Sequence, residues 1–281
     1  MIIKTLVENT LEAGLDNLKT QHGISLYVEA VDKKILFDVG QDELFRINAE
    51  KLDVDIADID YLIISHAHYD HAGGIKDFLE KNSKGKVVMS HNSLGDYYTR
   101  IFPLIYKYIG IDKASYERHK DRFVIIKDNC ELVNNIHILN NTEDDEDRPL
   151  GNKSLYKKIE GKYLKDDFNH EIILAIKEED GWVLFTGCSH SGILNMLYSF
   201  RKIFPEDKIK ALIGGFHFMN PITTRLVESK ETIENIGEKI RSFKIDRIYT
   251  GHCTGKEALE ILSSDLKDSL DTFKTGKAIK L

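Results

Sequence analysis

Short apolar runs separated by polar linkers dominate the first third of the chain. Residues 2–8, 24–30, 34–38 and 61–65 read as strands, because each is a brief run rich in Ile, Leu, Val and Tyr. The period then lengthens, and residues 72–82 predict a helix, followed by a short strand at 87–90. The segment 93–108 gathers five aromatics, Tyr97, Tyr98, Phe102, Tyr106 and Tyr108, and predicts a helix broken near Pro103. Two β-like runs follow at 123–127 and 131–139, and residues 142–169 are polar and irregular, with the acidic run 143–147 as a solvated loop. In the second half strands at 171–177, 182–186, 211–214 and 247–250 alternate with helices at 193–203, 223–243 and 256–262, and 278–281 reads as an edge strand. This is an α/β pattern.

A faint internal duplication runs through it. Residues 60–66 resemble 246–252, each with an aspartate six positions before a histidine and an apolar strand between, and 32–38 resemble 180–186. Two β-rich halves packed sheet to sheet, with helices outside, give four layers and bring both histidine-bearing strand ends to one edge. The expected organisation is a single domain over 1–281, with a lid or insertion at about 92–170.

Composition narrows the partners. With 281 residues a substantial core is affordable, and a net charge of -7 argues against a broad nucleic-acid surface while remaining compatible with a local basic patch. No apolar run approaches the roughly 18 residues that a bilayer span requires. The N-terminal run is too short and too acidic at its end for a signal peptide and reads as a first strand. Three cysteines, Cys130, Cys188 and Cys253, are an odd and small number, which fits a reducing cytoplasm rather than a disulfide scaffold.

The candidate chemistry is concentrated in Ser65-His66-Ala67-His68-Tyr69-Asp70-His71-Ala72-Gly73-Gly74, where three of eleven histidines fall within six positions. On an extended backbone residues i and i+2 point to the same side, so His66 and His68 can grip one metal together. Asp70 and His71 swing to a second position as the chain turns into the helix, and two ions about 3.5–4 Å apart could share a bridging water or hydroxide. Gly73 and Gly74 let the backbone turn tightly beneath. Solvated surface histidines are the alternative, but a surface has no reason to crowd this pattern after an apolar strand.

His66-Ala67-His68-Tyr69-Asp70-His71 resembles the signature of the metallo-β-lactamase superfamily. The resemblance implies an αββα sandwich, here with a helical insertion, and a one- or two-metal site at the sheet edges. It covers nearly the whole chain in its order of elements. Three further strings, Thr186-Gly187-Cys188-Ser189-His190-Ser191-Gly192, Ile213-Gly214-Gly215-Phe216-His217-Phe218 and Gly251-His252-Cys253-Thr254-Gly255, resemble a hydrolase-like subfamily that includes an archaeal dihydropterin–ribofuranosylaminobenzene phosphate synthase. By that resemblance a third histidine completes the first metal, and a bridging aspartate or a cysteine and a final histidine complete the second. Cys188 stands where the superfamily usually carries the bridging aspartate, a departure that counts against a tightly bridged pair. It either ligates the second metal as a thiolate or packs beside the site. His190 is the choice for the third ligand of the first metal, with His170 as its rival. His252 takes the last-ligand place, and Cys253 reads as structural. His217 ligates, donates a proton or holds a substrate anion, and His91 is placed to touch substrate. Asp38 either orients a ligand histidine or simply forms a turn. His22, His119 and His137 lack a constellation and read as satisfied or solvated.

The resulting expectation is a metal-dependent hydrolase acting through activated water on a small anionic, phosphorylated substrate. His66, His68 and His190 would hold the first metal, and Asp70, His71, His252 and Cys188 the second. Asp70 would also accept the water's proton, and His217 would serve the leaving group. Zinc is the expected metal, with iron or manganese as alternatives. Two other activities share the ligand set: a pterin-condensing transferase like the archaeal relative, and a di-iron redox protein. No nucleic acid or membrane partner is expected, and the oligomeric state is open.

Overall fold

The computed structural model describes residues 1–140, 142–220 and 223–281. The chain divides into two compact units. The first comprises Met1–Lys127, Ser154–Asp166 and Lys274–Leu281, and the second Asp128–Lys153 and Asp167–Phe273.

The first unit is built on a seven-stranded sheet, in the order Ala278–Lys280, Ile2–Val7, Ser25–Ala30, Lys33–Phe37, Tyr61–Ile63, Lys86–Ser90 and Phe123–Ile126. The first four strands pair antiparallel and the last four parallel. Parallel neighbours need a crossover, and helices Leu44–Lys51, Ile75–Lys81 and Lys113–Arg118 lie in those connections. Helix Leu44–Lys51 turns Leu44, Phe45, Asn48 and Ala49 inward. The buried Asn48 is satisfied by donating to the Leu6 and Lys19 carbonyls, both at 2.8 Å. The expected edge strand is present at Ala278–Lys280, where Ile279 opposes Ile3.

The expected helical insertion at 93–108 is instead a β-hairpin. Tyr97–Phe102 pairs antiparallel with Ile105–Tyr108, and a second hairpin, Leu155–Ile159 with Lys162–Lys165, completes a four-stranded sheet. The sequence has period two here, with Tyr98 and Arg100 on the same face as Tyr106 and Tyr108. Tyr, Thr, Ile and Phe also favour strands. Pro103 does not break a helix; it sits in the turn, beside Leu104 at φ +68°.

The second unit holds another seven-stranded sheet, in the order Leu270–Thr272, Arg247–Thr250, Ile209–Ile213, Gly181–Phe185, Ile173–Glu178, Ile136–Leu139 and Cys130–Val133. Helices Ile193–Ile203, Lys230–Ser242 and Lys256–Leu266 share a core with it, through Trp182, Leu212, Phe200, Ile233, Ile240 and Leu262. The middle helix begins at Lys230, later than the predicted 223, because Ser229 caps it: its hydroxyl accepts from the Thr232 N–H at 3.0 Å.

Candidate metal centre

In the first unit the strand Tyr61–Ile63 ends in fully buried Ile64 and Ser65 and delivers the histidine run. His66 and His71 are fully buried and His68 nearly so. The His66 ring lies 4.7 Å from that of His68 and 4.1 Å from that of His71. Asp38 is their organiser. Its carboxylate accepts from the Ser65 N–H at 2.7 Å and the Ser65 hydroxyl at 2.6 Å, and it lies 2.6 Å from His71 Nδ1. A carboxylate only accepts, so His71 Nδ1 carries the proton and Nε2 presents its lone pair. The Ser65 hydroxyl has one proton, spent on Asp38, so at 2.9 Å it accepts from His66 Nδ1 and fixes the same tautomer there. Of the two readings of Asp38, the structure thus shows the orienting one.

Asp70 Oδ2 lies 3.8 Å from His71 Nε2 and 3.4 Å from His22 Nε2. His22, expected to be solvated or satisfied without a constellation, therefore stands beside the acid. His68 Nε2 is 3.9 Å from Asp166 Oδ2, and the Asp166 side chain is buried. Gly73 and Gly74 matter through close approach rather than a special turn. Gly73 has φ -65°, and a Cβ on it would lie 2.1 Å from the Gln41 carbonyl oxygen.

In the second unit the candidates follow the carboxyl ends of three parallel strands: Cys188 and His190 after Gly181–Phe185, His217 after Ile209–Ile213, and His252 after Arg247–Thr250. All four are buried. The donor atoms of Cys188, His190 and His217 lie within 4.8 Å of one another, as do those of Cys188, His252 and Cys253. Cys253, read from sequence as structural, is thus among the grouped donors. Its thiol is held well below the usual thiol range. Burial opposes ionisation, and contacts with Cys188 and then His217 outweigh it.

His190 is the best-oriented of these. The Asn152 amide donates to the His190 carbonyl at 2.7 Å, which turns its oxygen to His190 Nδ1 at 2.9 Å. That oxygen can only accept, leaving Nε2 as the lone-pair donor. The ring lies flat on Phe168 at 4.9 Å, and buried Glu171 accepts from the His190 and Ser191 N–H groups, both at 2.7 Å. Burial pushes the Glu171 carboxyl up. His170 is also fully buried, with its ring 6.1 Å from Phe168. His217 and His252 adopt left-handed backbone conformations, φ +53° and +51°, and Asp38 does so at +60°. Such conformations are uncommon for non-glycine residues and concentrate at functional sites. His91 Nδ1 faces the Ile126 carbonyl at 3.3 Å.

Sequence reasoning missed Asp166, Asn152, Glu171 and His22. Each comes from a segment remote from the residue it contacts, Asp70 for His22 and a histidine for the other three, and none belongs to a motif.

The donor set suits a divalent ion of intermediate softness. Imidazoles with fixed tautomers, a carboxylate and buried thiols are the groups that zinc and ferrous iron accept. A family model described as the metallo-beta-lactamase superfamily matches residues 22–98. The chain is 30% identical over 272 residues to the 7,8-dihydropterin-6-methyl-4-(beta-D-ribofuranosyl)-aminobenzene-5'-phosphate synthase of Methanocaldococcus jannaschii, covering 93% of this chain and 90% of that one. It is 31% identical to an uncharacterized protein of the same organism, over 100% of this chain and 99% of the relative. Among solved structures, a metal-dependent hydrolase of the beta-lactamase superfamily superposes with a TM-score of 0.83 at 27% identity, covering 100% of this chain and 99% of that one. Zinc-bound PqqB from Methylobacterium extorquens shares the fold, with a TM-score of 0.62 at 10% identity and full coverage of both chains. With its histidine run, its two seven-stranded sheets and these relatives, the chain belongs to the metallo-β-lactamase superfamily.

Proposed function

We propose that this protein is a metal-dependent hydrolase of small anionic, phosphorylated substrates, with a centre for up to two zinc ions. The observation that carries the reading is the fixed tautomer of His66, His71 and His190, each with Nε2 left as the lone-pair donor. Buried histidines without a metal to serve have no need of three separate orienting partners.

In this reading His66, His68 and His190 hold one ion, and Asp70, His71 and His252, with Cys188, hold the other. A bound divalent ion supplies Lewis acidity and a water of lowered pKa. Asp70 would accept a proton at its carboxylate, with His22 Nε2 beside it at 3.4 Å. His217 donates a proton to the leaving group or binds its charge. The small sheet bounds the substrate pocket: Tyr97 lies 6.4 Å from the His68 ring, and Lys107 sits over the Tyr69 ring at 5.4 Å. Aromatic walls favour a flat, compact ligand and exclude water from the reaction. The reading includes a cytoplasmic location, because three cysteines, an odd and small number, fit a reducing compartment.

A second reading, a pterin-condensing transferase, is favoured by one observation, the 30% identity to the archaeal synthase over most of both chains. There the same residues would stabilise a departing pyrophosphate instead of serving a water.

Elemental analysis of protein purified without chelators tests the centre, and a persistently metal-free, stable protein would overturn it. A panel of phosphodiesters, thioesters, lactones and pterin pyrophosphates, each with and without an arylamine acceptor, separates hydrolase from transferase. The proposed third ligand is checked by a pair: His190→Ala is expected to lose metal and activity, and His170→Ala to keep both. The reverse ranking would assign the ligand to His170.

A further inference from the structure

The two hairpins of the small sheet, residues 97–108 and 155–165, carry six cations, Arg100, Lys107, Lys157, Lys158, Lys162 and Lys165, against one carboxylate, Glu160, a net charge of +5 in a chain whose total is -7. At the turn of the first hairpin four large apolar side chains face solvent together: Ile101 is 45% exposed, Phe102 63%, Leu104 90% and Ile105 55%. Arg100 and Lys107 bracket them in sequence. Behind the turn the tyrosines pack on one another, with Tyr106 stacked on Tyr163 at 3.8 Å and set edge-on to Tyr156 at 5.2 Å. Arg100 and Lys165 lie over the Tyr156 ring at 5.4 and 4.2 Å. The turn also holds Leu104 at φ +68°, a conformation that Gly or Asn adopts at less cost and with better hydration. Four exposed apolar side chains within one hairpin turn, kept against both solvation and backbone preference, mark an interaction surface.

We propose that this hairpin docks on the surface of an anionic lipid bilayer. Ile101, Phe102, Leu104 and Ile105 enter the boundary of the acyl chains, the tyrosines lie at headgroup depth, and the flanking cations meet lipid phosphates. Charge selects this occupant over the others. A second copy docking through the same hairpin would set one +5 surface against another, which like-charge repulsion opposes. A nucleic acid would satisfy the cations but leave the aliphatic turn in water. The lack of a helix able to cross a membrane among the described residues concerns spanning, not lying on the surface.

The test uses the full-length, metal-loaded protein and vesicles of equimolar phosphatidylcholine and phosphatidylglycerol, with pure phosphatidylcholine as control. Co-sedimentation is expected to be at least about tenfold stronger on the anionic vesicles and to weaken as salt is raised. The double variant Phe102→Ser, Leu104→Ser, at exposed positions that leave the core intact, is expected to lose at least about tenfold of that binding with its melting temperature retained. In a Phe102→Trp variant the emission is expected to shift to the blue on anionic vesicles. Vesicle binding that is absent in the parent, or retained by the double variant, overturns the proposal. So does a dimer that the double variant dissociates, which assigns the turn to a second copy. Binding of a single-stranded oligonucleotide that the double variant loses, without vesicle binding, assigns it to nucleic acid.

Discussion

Asp38 shows how much one side chain carries here. It is fully buried, held at φ +60°, and serves the Ser65 N–H, the Ser65 hydroxyl and His71 Nδ1 at once. Asparagine in its place has one acceptor oxygen and a competing N–H pair, so His71 or Ser65 loses its partner. Asp38→Asn is expected to weaken metal affinity by about 10–100-fold, read by competition with a chromophoric chelator, and unchanged affinity would mean that His71 is held by other contacts. Glu171 is the counterpart in the second unit. Glu171→Ala strands two buried N–H groups, of His190 and Ser191, and is expected to cost about 2–4 kcal/mol in urea denaturation, with Glu171→Gln closer to the parent. The sequence exposes the ligand candidates because histidines crowd one run and recur at strand ends. It hides Asn152, Glu171 and Asp166, because a polar residue in a loop has the same local signature whether it faces solvent or a histidine ring.

At the scale of elements, the apolar strands and the core helices were legible because burial on one or both faces forces a period. The four-stranded sheet was not. Its period of two is short and interrupted at Ile101–Phe102, and Pro103 suits a helix break and a hairpin turn equally well; the cross-strand partners, Tyr98 opposite Tyr108 and Tyr156, decide between the two. The short helix Tyr69–Ala72 shows the opposite case, an element fixed by what it must pass. A Cβ at Gly73 would approach the Gln41 carbonyl oxygen at 2.1 Å and the Tyr69 carbonyl oxygen at 2.6 Å, both backbone atoms that cannot rotate away. Gly73→Ala is therefore expected to destabilise by at least about 1–3 kcal/mol and to shift His71. A calorimetric scan and a metal titration on the same variant would check both, and a neutral result in both would show that the backbone relaxes freely there.

For the molecule as a whole, Asp58 is one of several carboxylates held by their partners among the described residues. Asp58 receives hydrogen bonds from Lys34 at 2.5 Å and Lys84 at 2.6 Å, and these hold its carboxyl down to about 2. A depressed carboxyl stabilises above its unfolded value of about 3.9 and loses that contribution as pH falls towards the folded one. The group is exposed, so the effect is small and salt-sensitive. Asp58→Asn is expected to flatten the loss of stability between about pH 4 and pH 2, with parent and variant converging in high salt. An unchanged acid limb would show that the pairs persist in the unfolded chain. The internal duplication of residues 60–66 and 246–252 raises the expectation of two halves, but carries no sign that the first compact unit is assembled from three separate stretches of chain. That arrangement matters on the ribosome. Strand Ile2–Val7 is made long before its outer partner Ala278–Lys280. At about 5–20 residues per second the nascent chain carries an unsealed sheet edge for roughly 15–55 s. Throughout that interval the open edge of Ile2–Val7 is a template on which a neighbouring nascent chain can pair.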